Sequence, residues 1–403
     1  MKSSIGIILA LTCIFSANGF AQLMPMGLNQ VPLEGLGDQP HYNFWVGGHI
    51  CGSHHKANKS VYPAAGFVAN TGMFEASSAQ FVMLLGDSFT NISPIHADAM
   101  RRTLGSVPLP VINVMGKTEH AQHDTYQAIF NQQANTQFMI GPDVCLVVDS
   151  FAPNWDWLAE SLQTISQTPA MRHVFIFAAG MPWGNDDLLP TLPTKRQVAQ
   201  PVTLPSAKAF NDQVKPTLLR LSQIKNVYWF AGNINNSHIH QTYHWKSPDS
   251  TLTIVANAMT GSIHDSMLNV QVDAQGLVHI NTVSLTTGMI ADINTFGSNR
   301  WLTDTAQWRK DHPQAGFYAY FKHKSKEVLI SKKFAAGIFG GLVFGVFVML
   351  IKRPTTLDRK VRRPSVMRVL DDDDYIPMPT PQPHDVFSKL DDEDKEDDSR
   401  QAA

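Results

Sequence analysis

Histidine and carboxylate side chains follow several short apolar runs in this 403-residue chain. His49 closes the first of these runs, Asp87 closes the second, and Glu119 follows the third. A pair of histidines, His238 and His240, comes shortly after the last run. Imidazole and carboxylate groups are the usual ligands through which proteins bind divalent cations and activate water. These side chains are therefore the candidate metal ligands of the chain.

The apolar runs themselves predict the elements that would position these residues. Each run stops at a glycine-containing turn, which is typical of a buried strand that delivers its loop to one edge of a sheet. That edge is where α/β folds build their sites. The five segments are residues 44–49, 81–87, 111–119, 174–182 and 227–235.

The order and spacing of these segments resemble the calcineurin-like metallophosphoesterases. The loops of that family read Asp-x-His, Gly-Asp, Gly-Asn-His-Asp/Glu, a lone His and Gly-His-x-His. The resemblance covers about residues 41–286 and includes an apolar strand ending in Asp149-Ser150. It implies an α/β fold of two mixed β-sheets packed face to face and flanked by helices, an α/β/β/α sandwich. It also implies phosphate mono- or diester hydrolysis at two metal ions.

Most of the family's metal ligands are replaced in this chain. In the first loop only His49 remains, and the second loop keeps the bridging aspartate as Asp87. In the third loop Lys117 and Thr118 stand where the family has its metal-binding Asn and catalytic His, and Glu119 remains. The resemblance thus leaves two metal ligands, which do not hold a dication against water.

The last two loops continue this loss. Gly180 stands where the family has its lone His, and Asn233 and Asn235 replace the two histidines of the last motif. We therefore predict a catalytically inactive binding or scaffolding module with no cofactor, in which Asp87, Thr118 and Glu119 are remnants of catalysis. The predicted remnant site consists of His49, Asp87, Lys117, Gly180, Asn233 and Asn235.

A cation within the chain offers one explanation for the missing metals. Lys117 follows the same sheet edge as Asp87, and an isolated buried carboxylate is unfavourable. The hypothesis is that the Lys117 ammonium pairs with Asp87, while His49 and Asn233 complete a polar cluster.

The alternative is an active metal-dependent phosphoesterase with a displaced site. His238 and His240 lie beyond the expected register, and residues two apart share one face of a strand. In this alternative His49, Asp87, His238 and His240 bind two divalent metal ions, with His120 and His123 as further candidates.

A third interpretation comes from Gly86-Asp87-Ser88, which is similar to the nucleophile segment of Gly-Asp-Ser hydrolases. Those enzymes need a later Asp-x-x-His to supply the base and its orienting carboxylate. That pattern does not occur between Ser88 and residue 334. The sequence therefore disfavours a serine hydrolase.

The two ends of the chain predict a single-pass membrane protein. Residues 1–21 have a basic start, an apolar run and a small-residue exit, as in a secretory signal peptide. Phe334 to Ile351 is free of charge, is just long enough to span a bilayer, and is followed by an excess of Lys and Arg. We expect an extracytoplasmic N-terminal domain and a cytoplasmic C-terminal tail.

The predicted signal peptide and membrane span set the bounds of the remaining segments. Residues 22–40 form a leader, 41–290 the phosphoesterase-like domain, 291–333 a juxtamembrane extension that contains Trp301, and 352–403 an acidic tail predicted to be disordered. Gly337, Gly341 and Gly345 share one face of the span, where they favour a homodimer or reflect the frequency of glycine in membrane helices.

The composition excludes one class of partner. The net charge of −2 gives no basic surface for nucleic acid, so we expect the membrane and an unknown protein as partners. Cys51 and Cys145 remain after signal cleavage, and they either pair or stay as buried thiols.

Overall fold

The computed structural model describes residues 27–33, 36, 41–51, 60–181, 183, 200–201, 207–232, 234–235 and 241–311. The predicted signal peptide, membrane span and tail lie outside these ranges, so the structure leaves them as predictions. Among the residues it does describe, every helix is too short or too polar to cross a membrane.

The described residues form strands and helices in a mixed order. The strands are β1 (Tyr42–Gly47), β2 (Ala79–Leu84), β3 (Val111–Asn113), β4 (Thr136–Ile140), β5 (Asp143–Val148), β6 (His173–Ala178), β7 (Gln200–Pro201), β8 (Asn226–Ala231), β9 (Ile234–Asn235), β10 (Thr242–Lys246), β11 (Thr253–Asn257), β12 (Ser266–Val272), β13 (Val278–Ser284) and β14 (Ile290–Asp292). The helices are α1 (Ala65–Ala69), α2 (Gly72–Glu75), α3 (Pro94–Leu104), α4 (Lys117–Ala121), α5 (His123–Phe130), α6 (Trp155–Ser166), α7 (Ala207–Gln213), α8 (Lys215–Leu221), the 3₁₀ helix η1 (Ile293–Phe296) and α9 (Ser298–Asp311).

Two six-stranded sheets dominate the fold. The first sheet has the order β14-β13-β12-β1-β2-β3, in which β1, β2 and β3 are parallel and β12 pairs antiparallel with β1. The second has the order β10-β11-β8-β6-β5-β4, with four parallel strands between antiparallel edges. A short pair, β7 and β9, stands apart. Both sheets are mixed, as predicted.

Aromatic side chains fill the space between the sheets. The ring of Phe44 on β1 meets that of Phe175 on β6 edge-on at 5.3 Å, and Phe81 and Phe177 meet at 6.5 Å. Successive residues of a strand point to opposite faces. Phe175 and Phe177 therefore face the first sheet, whereas Ile176 joins the outer core beneath the helices.

Helices cover the outer face of each sheet. Leu158 and Leu162 of α6 are buried in the same cluster as Trp229 of the second sheet. Met100 of α3 and Tyr126 of α5 are buried in a cluster with the outward residues of the first sheet. The two sheets flanked by helices confirm the predicted sandwich.

A hydrogen bond to the buried Asp143 carboxylate joins the sheets at the amino-terminal end of their parallel strands. The Tyr42 hydroxyl of β1 donates to Asp143 Oδ2 of β5 at 2.6 Å. Arg172 Nη2 and Nε donate to the same carboxylate at 2.7 and 3.1 Å, and the His173 N–H donates to it at 3.0 Å. Burial and the Asp143 charge raise the pKa of Tyr42, so its hydroxyl stays a donor.

Candidate functional site

The carboxyl ends of the parallel strands of both sheets meet, and backbone fills much of the space between them. A Cβ atom on Gly232, after β8, would lie 1.8 Å from the Leu85 oxygen after β2. A Cβ atom on Gly116, after β3, would lie 2.1 Å from the Asp87 nitrogen. Only glycine fits such contacts, so the glycines of the predicted turns are required by close approach of the loops.

Asp87 lies in the second loop with a left-handed backbone, at φ 49°. Its side chain is buried, and its Oδ1 accepts a hydrogen bond from the Thr118 N–H at 3.1 Å. Aspartate is one of the residues that tolerate this backbone region. The carboxylate that the family uses to bridge metals therefore contacts the backbone of the third loop here.

Glu119 ties the second and third loops together. Its fully buried carboxylate accepts from the N–H groups of Ser88 at 2.7 Å and of Asp87 and Gly116 at 3.1 Å each. Burial, followed by the negative charge of Asp87, raises the pKa of Glu119 to about 7, although the backbone hydrogen bonds oppose the shift. The side chain thus acts as a cap for the turn that carries Asp87.

Lys117 does not occupy the position that the sequence suggested. It is exposed, it is the first residue of α4, and no ion pair between it and Asp87 exists in the described part of the chain. The hypothesis of a buried Asp87–Lys117 pair is therefore wrong. The physical reason is the start of α4, which places the N–H of Thr118 beside Asp87 instead of the ammonium.

His49 and Cys51 lie beside Asp87. His49 also has a left-handed backbone, at φ 56°, and its Nδ1 is 3.1 Å from the Met259 oxygen and 4.0 Å from Cys51 Sγ. The Cys51 N–H donates to the Asp87 backbone oxygen at 3.4 Å. Burial, then the charges of Asp87 and Glu119, raise the pKa of the Cys51 thiol, which disfavours a reactive thiolate. Cys51 and Cys145 are both buried, and no disulfide joins them.

The fourth and fifth loops are described in part. The Gly180 N–H donates to the Ser150 hydroxyl at 3.2 Å, so this loop presents backbone where the family has an imidazole. Asn233, His238 and His240 lie outside the described residues, and Asn235 is described only as part of β9. The structure thus brings His49, Asp87 and Glu119 together, and it leaves the predicted cluster as a whole untested.

One pair of side chains, His120 and Asp149, was not predicted from the sequence. His120 Nδ1 lies 3.6 Å from the buried Asp149 Oδ2. Asp149 Oδ1 accepts from the Phe151 and Ala152 N–H groups at 2.8 and 3.1 Å, and the His120 ring stacks on Phe151. Asp149 directly follows the buried strand β5, much as Asp87 follows the buried strand β2. This shared placement is the sequence signal that could have indicated the pair.

Ser88 is engaged in a buried hydrogen-bonded chain. Its Oγ donates to Asn113 Oδ1 at 2.7 Å, Asn113 Nδ2 donates to the Tyr126 hydroxyl at 2.9 Å, and that hydroxyl donates to Gln132 Oε1 at 2.9 Å. The serine proton is therefore directed at an amide oxygen and not at a base. This geometry gives no support to a Gly-Asp-Ser hydrolase.

The described residues do not assemble a metal centre on their own. Within the ranges that the structure covers, no group of three or more His, Cys, Asp or Glu side chains is arranged to hold a metal ion. Asp87 and Glu119 are engaged with backbone amides, and His238 and His240 of the alternative ligand set lie beyond those ranges. These side chains alone therefore do not supply the ligand set that a metal-dependent step would need.

No protein-family model matches the sequence, and neither does any curated protein. Solved structures do match. A purple acid phosphatase from yellow lupin seeds is 8% identical over 62% of this chain, with a TM-score of 0.45, and this chain spans 53% of its length. A dimetal phosphatase from Danio rerio is 12% identical over 62% of this chain and 99% of its own, with a TM-score of 0.38. A predicted phosphoesterase from Streptococcus pneumoniae is 6% identical over 62% of this chain and 97% of its own, with a TM-score of 0.27.

The names of these matches are those of two phosphatases and a predicted phosphoesterase. At such identities and TM-scores they carry no argument about activity or site geometry. The prediction of no cofactor is contradicted, because the match from Danio rerio is named as a dimetal phosphatase.

Proposed function

We propose that this chain is a membrane-anchored, extracytoplasmic protein whose phosphoesterase-like domain binds its target without hydrolysing phosphate esters. The observation that supports this most strongly is the environment of Asp87. Its carboxylate accepts a hydrogen bond from the Thr118 backbone, and its own N–H is held by Glu119. The residue that would bridge metals in the family therefore serves here to hold two loops together.

The neighbouring loops support the same proposal. Thr118 stands in place of the family's catalytic His, and Gly180 carries no side chain where a ligand would be. Lys117, in place of the metal-binding Asn, is exposed. The proposal concerns turnover, so a bound metal ion is compatible with it.

The test is hydrolysis of bis-p-nitrophenyl phosphate by the purified full-length protein, supplied in turn with Zn²⁺, Mn²⁺ and Mg²⁺. We expect the wild-type rate to equal that of Asp87→Ala with each metal. Turnover that disappears in Asp87→Ala would overturn the proposal. If His238→Ala and His240→Ala abolished it as well, the displaced metal site would be the correct alternative.

The anchored topology is tested separately. Residues 1–21 and 334–351 motivate it, through their signal-like and span-like composition. Protease added to intact cells should digest the N-terminal domain and leave residues 352–403 protected. Cleavage of that tail from the outside would contradict the proposed orientation.

A further inference from the structure

A polar cleft opens between the two sheets, at the end of the sandwich opposite the remnant site. Its volume is about 490 Å³, which lies within the range of small-molecule sites. It is lined by Tyr228 and Thr253, near the amino-terminal ends of the parallel strands β8 and β11. Gln271 and Asn281, of β12 and β13, line it from the first sheet. None of the described residues of the remnant site contributes to it.

A buried imidazole lines this cleft and has hydrogen-bonding capacity to spare. His244 is 8% exposed, and its ring nitrogens make no hydrogen bond within the described part of the chain. Burial lowers the pKa of His244, so the ring is neutral at pH 7 and offers one donor and one acceptor. His244 is not among the fully buried polar groups left without a partner, and because it lines the cleft, its ring can meet a ligand or water there.

The other lining groups are mostly neutral and mix donors with acceptors. Gln271 and Asn281 supply amides, Thr253 a hydroxyl, and Tyr228 a phenol whose pKa burial raises to about 12. An amide or hydroxyl both donates and accepts, so such a lining matches a ligand that carries several hydroxyl groups.

The formal charges around the cleft are balanced. Lys246 and Asp292 both line it and both are exposed. His279, also in the lining, is paired with Asp273 at 3.1 Å. An anionic ligand would meet the Asp292 carboxylate, and a cationic ligand would meet the Lys246 ammonium. Neither sign of net charge is favoured, which leaves a neutral ligand as the best electrostatic match.

We propose that this cleft binds a neutral, polyhydroxylated small molecule, with a mono- or disaccharide as the chemical class. Gln271, Asn281 and Thr253 form hydrogen bonds with its hydroxyl groups, and His244 forms a hydrogen bond with one hydroxyl from the buried side. The site is independent of the remnant site, so the proposal holds whether or not the domain hydrolyses phosphate esters.

Saturation-transfer difference NMR on the purified full-length protein tests the proposal. The neutral probes are glucose, N-acetylglucosamine and maltose, and the charged probes are citrate and arginine, all at millimolar concentration. We expect saturation transfer to at least one neutral saccharide and none to the charged probes. No transfer to any saccharide, or stronger transfer to citrate or arginine, would overturn the proposal.

Matched variants locate the binding in the cleft. Gln271→Ala removes an exposed amide that lines the cleft, and Gln275→Ala removes one in the exposed turn outside it. Losing one or two hydrogen bonds should weaken saccharide binding about tenfold in Gln271→Ala, with no change in Gln275→Ala. His244→Leu should abolish binding, and His244→Gln should restore part of it. Equal affinity in Gln271→Ala and wild type, with unchanged thermal unfolding, would place the saccharide elsewhere and overturn the proposal.

Discussion

The two ends of the sandwich bury carboxylates in different ways. At the amino-terminal end, Asp143 is held by the Arg172 guanidinium and the Tyr42 hydroxyl. At the carboxyl end, the hydrogen bonds described for Asp87 and Glu119 come from backbone N–H groups. A guanidinium neutralises a buried charge, whereas amides solvate it without neutralising it. The first arrangement holds the two sheets together. The second leaves the carboxyl groups of Asp87 and Glu119 interacting beneath the loops.

Removal of the Arg172 guanidinium should have the largest effect. Arg172→Met leaves the Asp143 carboxylate, which is 0% exposed, buried without its cation and should lower the free energy of unfolding by about 3–5 kcal/mol. Asp143→Asn in the same chain should recover much of this loss. Urea denaturation of the purified full-length protein measures both.

Arg300→Met is the matched control for this comparison. Arg300 pairs with Asp304 at 3.3 Å on an exposed helix face, where an ion pair contributes less than about 1 kcal/mol. If Arg172→Met were no more destabilising than Arg300→Met, the Arg172–Asp143 pair would stabilise the fold no more than a surface ion pair does, and the comparison would fail.

The contribution of the carboxyl end to stability should depend on pH. The pKa of Glu119 is about 7 in the fold, against an ordinary value of 4.5. The folded state therefore binds this proton more tightly than the unfolded state between these values. The stability that Glu119 contributes is fully present below about pH 4.5 and is lost as pH rises through about 7, a change of about 3 kcal/mol.

Glu119→Gln isolates this contribution. The amide cannot titrate, so the variant's free energy of unfolding should lack the pH dependence that Glu119 gives to the wild type. The variant should also be less stable at pH 5 by about 1–3 kcal/mol, since its NH₂ group faces backbone donors. Identical pH profiles for the two proteins would show that Glu119 does not titrate in this window.

Lys117 should have the smallest effect. Its side chain is exposed, so Lys117→Met should change the free energy of unfolding by less than about 0.5 kcal/mol. A buried pair with Asp87 would instead give a loss of about 3–5 kcal/mol. Chemical denaturation of the two proteins separates these values, and a large loss would restore the pairing hypothesis.

The sequence predicted the framework of the site well. The five apolar runs became β1, β2, β3, β6 and β8, because continuous burial on both faces leaves a strong pattern in a strand. The glycine turns were predicted as well, and the close contacts of Gly116 and Gly232 explain them.

Side-chain direction was harder to predict than strand order. The position of Lys117 after β3 was correct, but its orientation depends on α4 beginning at that residue, a detail that one loop sequence does not determine. The Tyr42–Asp143 contact joins residues 101 positions apart, and the polar cleft gathers side chains from both sheets. Such groupings depend on how the sheets pack, and no local pattern encodes them.

The central claim is that Asp87 holds the loops of this domain and does not support hydrolysis. The most direct test is the ratio of the rates at which the wild type and Asp87→Asn hydrolyse bis-p-nitrophenyl phosphate, with the full-length proteins in the presence of Mn²⁺. The substitution keeps an oxygen that can accept from the Thr118 N–H and removes the charge that a metal bridge needs. We predict a ratio of one, and a wild-type rate far above that of Asp87→Asn would contradict the account.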